Sequence, residues 1–443
     1  MKIKLENIGL IGNSEIEIDG ITVMAGENAT GKSTVGKALY SIFNAFHDIY
    51  GQIKEIRYRN IDRTLSRYIK YDRFRIRYDE YLSKQYKELI SRIIEEKEEK
   101  KGHHINRVTI SNYIEEVLDF LNRYDREETI SSLKSDDTSS YSSKVKEDNT
   151  QLILDQVIDS LNIHEELIIK WIVQSYLNAE FKKDLANKHI KGKLDSEITL
   201  TIKEHVTSIK IFKDEVSSVE GLMSLDKEVI YIDDPYVIDD LNYGNRRLPS
   251  QFSLSTNNNG HRDALKDKIL KDSEDLIEKI KTDEKLKDIY KNLETINLGD
   301  LVYKDRSYKY ETEISLDVSN IATGLKTFVI IKTLLENGNL ETNGTMILDE
   351  PEIHLHPKWQ LVLAELIVLI QKEFNMHVLL NTHSPYFLNA IEVYSKHYGI
   401  SDRCKYYLME LNNEHIAQAR DVTGYTEEIY KLLVEPFNTL ELF

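Results

Sequence analysis

The first 25 residues alternate apolar and polar positions, in KIKLENIGL and again in NSEIEIDG, with glycines where the pattern turns. A period of two turns one face of a strand inward and the other to water. The pattern therefore predicts a hairpin leading into a buried strand at 21–25. A helix follows at 32–45. From about 50 to 190 the period changes, and Tyr, Leu and Ile recur at helical spacing among charges. That stretch is predicted to be mainly helical, broken by a polar loop at 131–149 (SSLKSDDTSSYSSKVKEDN). Strand patterns return at 197–203 (EITLTIK), 207–216 (TSIKIFKDEV) and 228–233 (EVIYID). A loop rich in Asn, Ser and Gly (234–261), a charged helix (262–293) and short strands (300–317) come next. The remainder alternates: a helix from 323, a strand at 345–349, a helix at 358–373, a strand at 376–381, strands near 405–410 and 415–420, and a helix at 426–433. The predicted organisation is an α/β head split between 1–50 and 197–443, with a mainly helical insertion at 51–196.

At 443 residues and 51.7 kDa the chain has room for two or three domains. No window approaches the ~18 apolar residues of a membrane span, and MKIKLENIGL offers no apolar signal segment. The single Cys404 rules out a disulfide framework and a cysteine zinc site, so a cytoplasmic location is expected. A net charge of −17 excludes a general nucleic-acid coat, because phosphate backbones demand positive charge. Residues 54–92 run against that balance, with twelve Lys and Arg against six acids. Either this is a solvated helical face with its tyrosines turned inward, or arginines such as Arg73, Arg75 and Arg77 meet phosphates while tyrosines stack on bases.

The chemistry is carried by four short segments. Gly26, Glu27, Asn28, Ala29, Thr30, Gly31, Lys32 and Ser33, followed by Thr34, fit G-x-x-x-x-G-K-[ST] between a predicted strand and a predicted helix. In such a loop, glycines let backbone N–H groups face a β-phosphate and the helix N-terminus favours negative charge. Lys32 is expected to neutralise phosphates and Ser33 to ligate Mg²⁺. The apolar strand of TMILDEPEIHLHP ends in Asp349 and Glu350, the first expected to reach the Mg²⁺, the second to polarise the attacking water. Thr323 and Gly324 open a long apolar helix and can offer a hydroxyl and bare N–H groups to a γ-phosphate, most usefully one held by a second subunit. His383, after the strand HVLLN, is expected beside the nucleotide, bonding the γ-phosphate or the catalytic water. His354 and His356 lack a third ligand in their segment and are read as a turn at a subunit interface rather than a metal pair.

In this order the segments resemble an ABC-type P-loop ATPase head, as in RecF, SMC, Rad50 and OLD proteins. The resemblance is strongest to bacterial antiphage-defence ATPases of the Septu, PARIS and retron-associated type. It rests on Gly26 to Thr34, Thr323 to Lys326, DEPEIHLHPKWQ from Asp349, and THSPYF from Thr382. The implied fold class is α/β, with an N-terminal antiparallel β subdomain and a helical insertion. ATP and Mg²⁺ are the implied cofactors, and an ATP-dependent homodimer or higher assembly the implied state. In that assembly Thr323, Gly324 and Lys326 act in trans. Hydrolysis is expected to be slow and regulatory, and a separately encoded effector, a nuclease, is the implied partner. Departures stand out. Ala29 replaces the usual glycine, Lys326 occupies the glutamine position of the signature, and no obvious glutamine loop is present, with Asp233-Asp234-Pro235 a candidate to replace it. The 58 residues after Pro385 are too few for a Toprim fold, and His103 and His104 lack the other parts of an HNH nuclease. The competing reading is a RecF-like repair ATPase that binds DNA directly through 54–92.

Overall fold

The computed structural model describes residues 1–68, 80–99, 106–132, 148–190, 192, 195–242, 260–271, 287, 289–296 and 298–440. His103, His104 and most of the loop expected at 131–149 lie outside them. The described residues form two compact units, Met1–His47 with Lys170–Phe443, and Asp48–Ile169. The expected boundaries were 50/51 and 196/197. The second junction instead falls inside one continuous helix, Glu165–Phe181, which no break in helical pattern announces.

The first unit is built on an eleven-stranded sheet of mixed direction. Its parallel part runs β13 (Cys404–Leu411), β3 (Ile21–Gly26), β12 (His377–Thr382), β11 (Thr345–Asp349) and β7 (Val229–Ile232). These strands read as apolar runs because helices cover them. Met346, Ile347 and Leu348 of β11 and Val378, Leu379 and Leu380 of β12 are all fully buried. The antiparallel wing begins with the expected hairpin, β1 (Lys2–Ile8) on β2 (Ile11–Glu17), and continues from β1 through β4 (Asp195–Ile202) to β5 (His205–Phe212) and β6 (Glu215–Glu220). β14 (Ala417–Asp421) closes the order between β2 and β13, and the short strands expected at 300–317 form a separate three-stranded antiparallel sheet of β8 (Asp300–Lys304), β9 (Ser307–Glu311) and β10 (Ser315–Asp317). Residues 207–216, expected as one strand, are two. Lys213 and Asp214 take φ of 51° and 63°, and Phe212 pairs with Glu215 across a two-residue turn.

Helices of this unit are α1 (Lys32–Phe46), α6 (Glu165–Phe181, entering from the second unit), α7 (His261–Leu270), α8 (Thr323–Glu336), α9 (Pro357–Phe374), α10 (Pro385–His397) and α11 (Glu427–Leu440). Of the charged helix expected at 262–293, α7 is the first part; its C-cap Lys271 is already extended (φ −120°, ψ 134°). The second unit contains α2 (Ile49–Tyr68), α3 (Glu80–Glu99), α4 (Arg107–Ser132) and α5 (Asp148–Leu161). It has its own core, in which Ile90, Ile93 and Ile94 meet Ile110, Ile114, Val117 and Leu121, and Ile153, Val157 and Leu161. Spacings of three and four put each set on one helix face. Among the described residues no helix is long and apolar enough to cross a membrane.

Candidate functional site

The strand order β3-β12-β11 sets the site. Asp349 of β11 is level with Asn381 of β12, and Asn381 with Met24 of β3. The chain therefore leaves the sheet at three adjacent carboxyl ends, as the loop after Gly26, as the acid pair, and as Thr382-His383. In parallel α/β sheets that edge is where ligands bind.

The loop after β3 has the form its composition demands. A Cβ on Gly26 would lie 2.5 Å from the Met409 carbonyl oxygen, so no other residue fits there. Gly31, the N-cap of α1, is left-handed at φ 86°. Ala29 is also left-handed, at φ 59°, so the position where a glycine is usual keeps the glycine conformation. The first turn of α1 has neither an acidic residue nor a side-chain cap, which leaves its amides to an outside anion. Lys32 is almost buried and its Nζ donates to the carbonyls of Gly26 (2.9 Å) and Glu27 (2.7 Å). Burial pulls its pKa below the usual lysine value, opposed by Glu350, Asp349 and Glu352.

Asp349 is gripped from both neighbouring strands. Asn381 Nδ2 donates to Oδ1 at 3.0 Å and Tyr231 OH to Oδ2 at 3.0 Å. Glu350 follows in the left-handed region at φ 50°, its N–H bonded to the Asn381 carbonyl (2.9 Å). Glu350 Oε1 lies 3.2 Å from His383 Nδ1, close enough to pair but off hydrogen-bond alignment. Glu352 is buried beneath them. The Thr382 hydroxyl donates to its Oε1, and Oε2 has no partner. Burial lifts its pKa to about 7, with the Thr382 bond opposing. Asp349 makes no ion pair among the described residues. Asp349 and Glu350 beside one ammonium and one imidazole leave an excess of negative charge on oxygen donors, a set that fits a hard dication such as Mg²⁺.

At the start of α8 no side chain caps the helix and none of the first turn is acidic. Gly324 packs against the backbone after the acid pair, where a Cβ would lie 2.8 Å from the His354 oxygen. Thr323 Oγ1 is 3.2 Å from Tyr236 OH. Lys326 departs from expectation. Its Nζ is turned inward onto both oxygens of Asp239 (2.5 and 2.7 Å) and lies 4.7 Å above the Tyr236 ring, and only 1% of the residue is exposed. What this helix start shows to the outside is Thr323 and bare amides, and Lys326 holds them from behind.

Tyr236 and Asp239 belong to a short 3-10 turn, Pro235–Leu241, that follows β7 and Asp233-Asp234. Between this turn and the acid pair lies a cleft of about 340 Å³, lined by Asp233, Asp234, Tyr236, Arg262, Asp349, Glu350 and His354 among others. Asp233 is held by Arg262 (3.2 Å) and by His261, whose Nδ1 lies 2.7 Å from Glu180. Burial disfavours the His261 charge, but the bonds to Asp233 and Glu180 outweigh it and raise its pKa to about 9. His356 Nδ1 accepts from the Lys358 N–H (3.2 Å) and caps α9, so that ring does a structural job.

In the second unit the basic stretch is partly neutralised. Lys54 pairs with Glu98 (2.9 Å), Arg59 with Glu55 (3.0 Å) and Arg92 with Glu116 (2.6 Å), and Arg57 is buried. Arg73, Arg75 and Arg77 lie outside the described residues. Sequence reasoning missed Tyr231, Asn381 as a side chain, Glu352 and Asp239. Asn381 and Glu352 stand inside the motifs themselves, so reading each motif residue for a polar job would have found them. Tyr231 and Asp239 carry no local signal.

A family model described as AAA ATPase domain matches residues 1–388. Among solved structures, the SMC head domain from Thermotoga maritima aligns at 9% identity and a TM-score of 0.38, covering 95% of this chain and 98% of that one. The SMC head bound to the C-terminal winged-helix domain of ScpA aligns at 10% identity and 0.41, covering 95% and 96%.

Proposed function

The chain belongs to the AAA ATPase domain family, and from that premise we propose that it is an ATP-driven switch whose closed state is a dimer with ATP between the subunits. The observation that carries this reading is the shared edge of β3, β12 and β11, which brings Lys32, Asp349, Glu350 and His383 to one place. The amides of Gly26 to Thr34 would bind the phosphates, and Lys32 would exchange the Gly26 and Glu27 carbonyls for phosphate oxygens. Ser33 and Asp349 would hold Mg²⁺, which supplies charge neutralisation at the β- and γ-phosphates. Glu350 would take the proton of the attacking water, with His383 beside it bonding the water or the γ-phosphate. Thr323 and Gly324, on the uncapped start of α8, would meet the γ-phosphate of the other subunit.

The motif set of antiphage-defence ATPases supports a further step. The switch would act in bacterial antiviral defence in the cytoplasm, hydrolysing slowly and restraining or releasing a separately encoded nuclease. An adjacent HNH or Toprim gene whose product co-purifies in a nucleotide-dependent way is the expected result. The repair reading predicts instead salt-sensitive DNA binding that disappears when Arg73, Arg75 and Arg77 are neutralised.

Two variants test the core. Lys32→Ala should lose ATP binding, measured by titration with a fluorescent ATP analogue, and keep its thermal midpoint. Glu350→Gln should bind ATP, turn it over at least about a hundredfold more slowly, and run as a dimer with ATP and a monomer with ADP. Rapid turnover by Glu350→Gln would remove that residue from the base role.

A further inference from the structure

We propose that Tyr231 and His261 are positioning residues that aim the Asp349 carboxylate at its metal, a role that rests on reading Asp349 as the Mg²⁺ acid. Tyr231 is in β7, on one side of β11, and Asn381 is in β12, on the other. Their donors take one oxygen each, at 3.0 Å. A carboxylate held at both oxygens cannot rotate about its last bond without losing a partner, and each oxygen keeps a free lone pair for a cation or its water. The grip costs no charge neutralisation, because both donors are uncharged and Asp349 keeps its full attraction for a dication.

The phenol is itself placed. It is fully buried, and burial, followed by the charge of Asp349, raises its pKa well above the ordinary value, so it remains an O–H donor. A Cβ on Gly36 would lie 3.2 Å from the Tyr231 oxygen, so α1, which also carries Ser33, passes directly against that hydroxyl. The ring lies on the imidazole of His261, with centroids 4.3 Å apart and planes at 27°. His261 is held in turn by hydrogen bonds to Glu180, and its second ring nitrogen lies beside Asp233 as an ion-pair partner, off hydrogen-bond alignment. Nδ1 is 2.7 Å from Glu180 Oε2, Nε2 is 3.0 Å from Asp233 Oδ2, and its backbone N–H donates to Glu180 Oε1 at 2.9 Å. A rigid relay therefore runs from Glu180 and Asp233 through a clamped imidazole and a stacked ring to Asp349. Of these four groups only Asp233 lines the cleft beside Asp349 and Glu350, so Tyr231, His261 and Glu180 act on the site through Asp349.

The test uses the full chain, ADP and Mn²⁺ as the metal probe, with free Mn²⁺ followed by electron paramagnetic resonance. Asp349→Asn should weaken Mn²⁺ binding; if it does not, the reading of Asp349 fails and the positioning role falls with it. Tyr231→Phe keeps the ring and its stack and removes only the donor. Its Mn²⁺ Kd should rise about tenfold, while ADP binding in EDTA stays at the wild-type value. His261→Gln should also raise the Mn²⁺ Kd, and the double variant should be no weaker than Tyr231→Phe, because the imidazole works through the phenol. A Tyr231→Phe Kd within about twofold of wild type, with Asp349→Asn weakened, overturns the inference and leaves the function standing. Independent, additive losses at 231 and 261 overturn the relay in the same way.

Discussion

Glu352 is the residue at which the site meets stability. It is buried, one oxygen takes the Thr382 hydroxyl and the other has no partner. Lys32, His383 and Glu350 are the charged or titratable groups that act on it or feel it. With a folded pKa of about 7 against an ordinary 4.5, the folded chain keeps a proton that the unfolded chain releases. Stability linked to this group is therefore fully present below about pH 4.5 and lost as pH rises through about 7, by an amount on the order of 3 kcal/mol. Glu352→Gln has no proton to lose. Its stability relative to wild type, from urea unfolding, should be higher at pH 8 than at pH 5. An equal difference at the two pH values would show that this carboxyl does not titrate in the window. The left-handed backbone at Ala29 and Glu350 belongs to the same scale. The departure at Ala29 was visible as a missing glycine, and its conformation is the one a glycine takes without strain, so the loop holds its form at a cost of roughly 1 kcal/mol.

At the scale of elements, the start of α8 depends on an ion pair that no local pattern announces. Lys326 and Asp239 are 87 positions apart, and the Lys326 ammonium is almost without solvent. Asp239→Asn would leave that charge uncompensated and should cost about 3 kcal/mol, whereas Lys326→Met leaves a partly hydrated carboxylate and should cost less. Both free the Pro235–Leu241 turn from α8 and blur the placement of Thr323. ATP binding to the single chain should survive while ATP-dependent association weakens; association at wild-type strength would mean that the pin holds the fold alone. What the sequence reading could see follows from period and motif. The buried strands, the first hairpin and the helices after 323 and 357 were legible because one face repeats. The turn at Lys213-Asp214 was not, because Lys213 gives no sign of positive φ and Asp214 is one acid in a charged run, Lys213 to Glu215. Tyr231 and Asp239 were not, because their partners meet them only through sheet order.

At the scale of the whole molecule the question is whose phosphate the start of α8 serves. Two subunits related by a two-fold axis would make two sites, each pairing the phosphate loop of one chain with Thr323 and Gly324 of the other. Lys32→Ala spoils the loop and leaves α8 whole; Thr323→Asp puts a carboxylate where a γ-phosphate must come and leaves the loop whole. Each variant alone has two damaged sites and should be inactive, the second despite binding ATP. Mixed in equal amounts, half of the dimers formed at random join one of each. Such a dimer has one site with both defects and one with neither. The mixture should therefore recover about a quarter of wild-type ATPase activity if the sites fire independently. If α8 served the nucleotide of its own chain, every chain in the mixture would still carry one defect in its only site, and nothing would be recovered. The same mixture followed by size should show dimers with ATP that neither variant forms alone. Recovery of activity is thus a test of geometry, because the only change on mixing is which surfaces can meet.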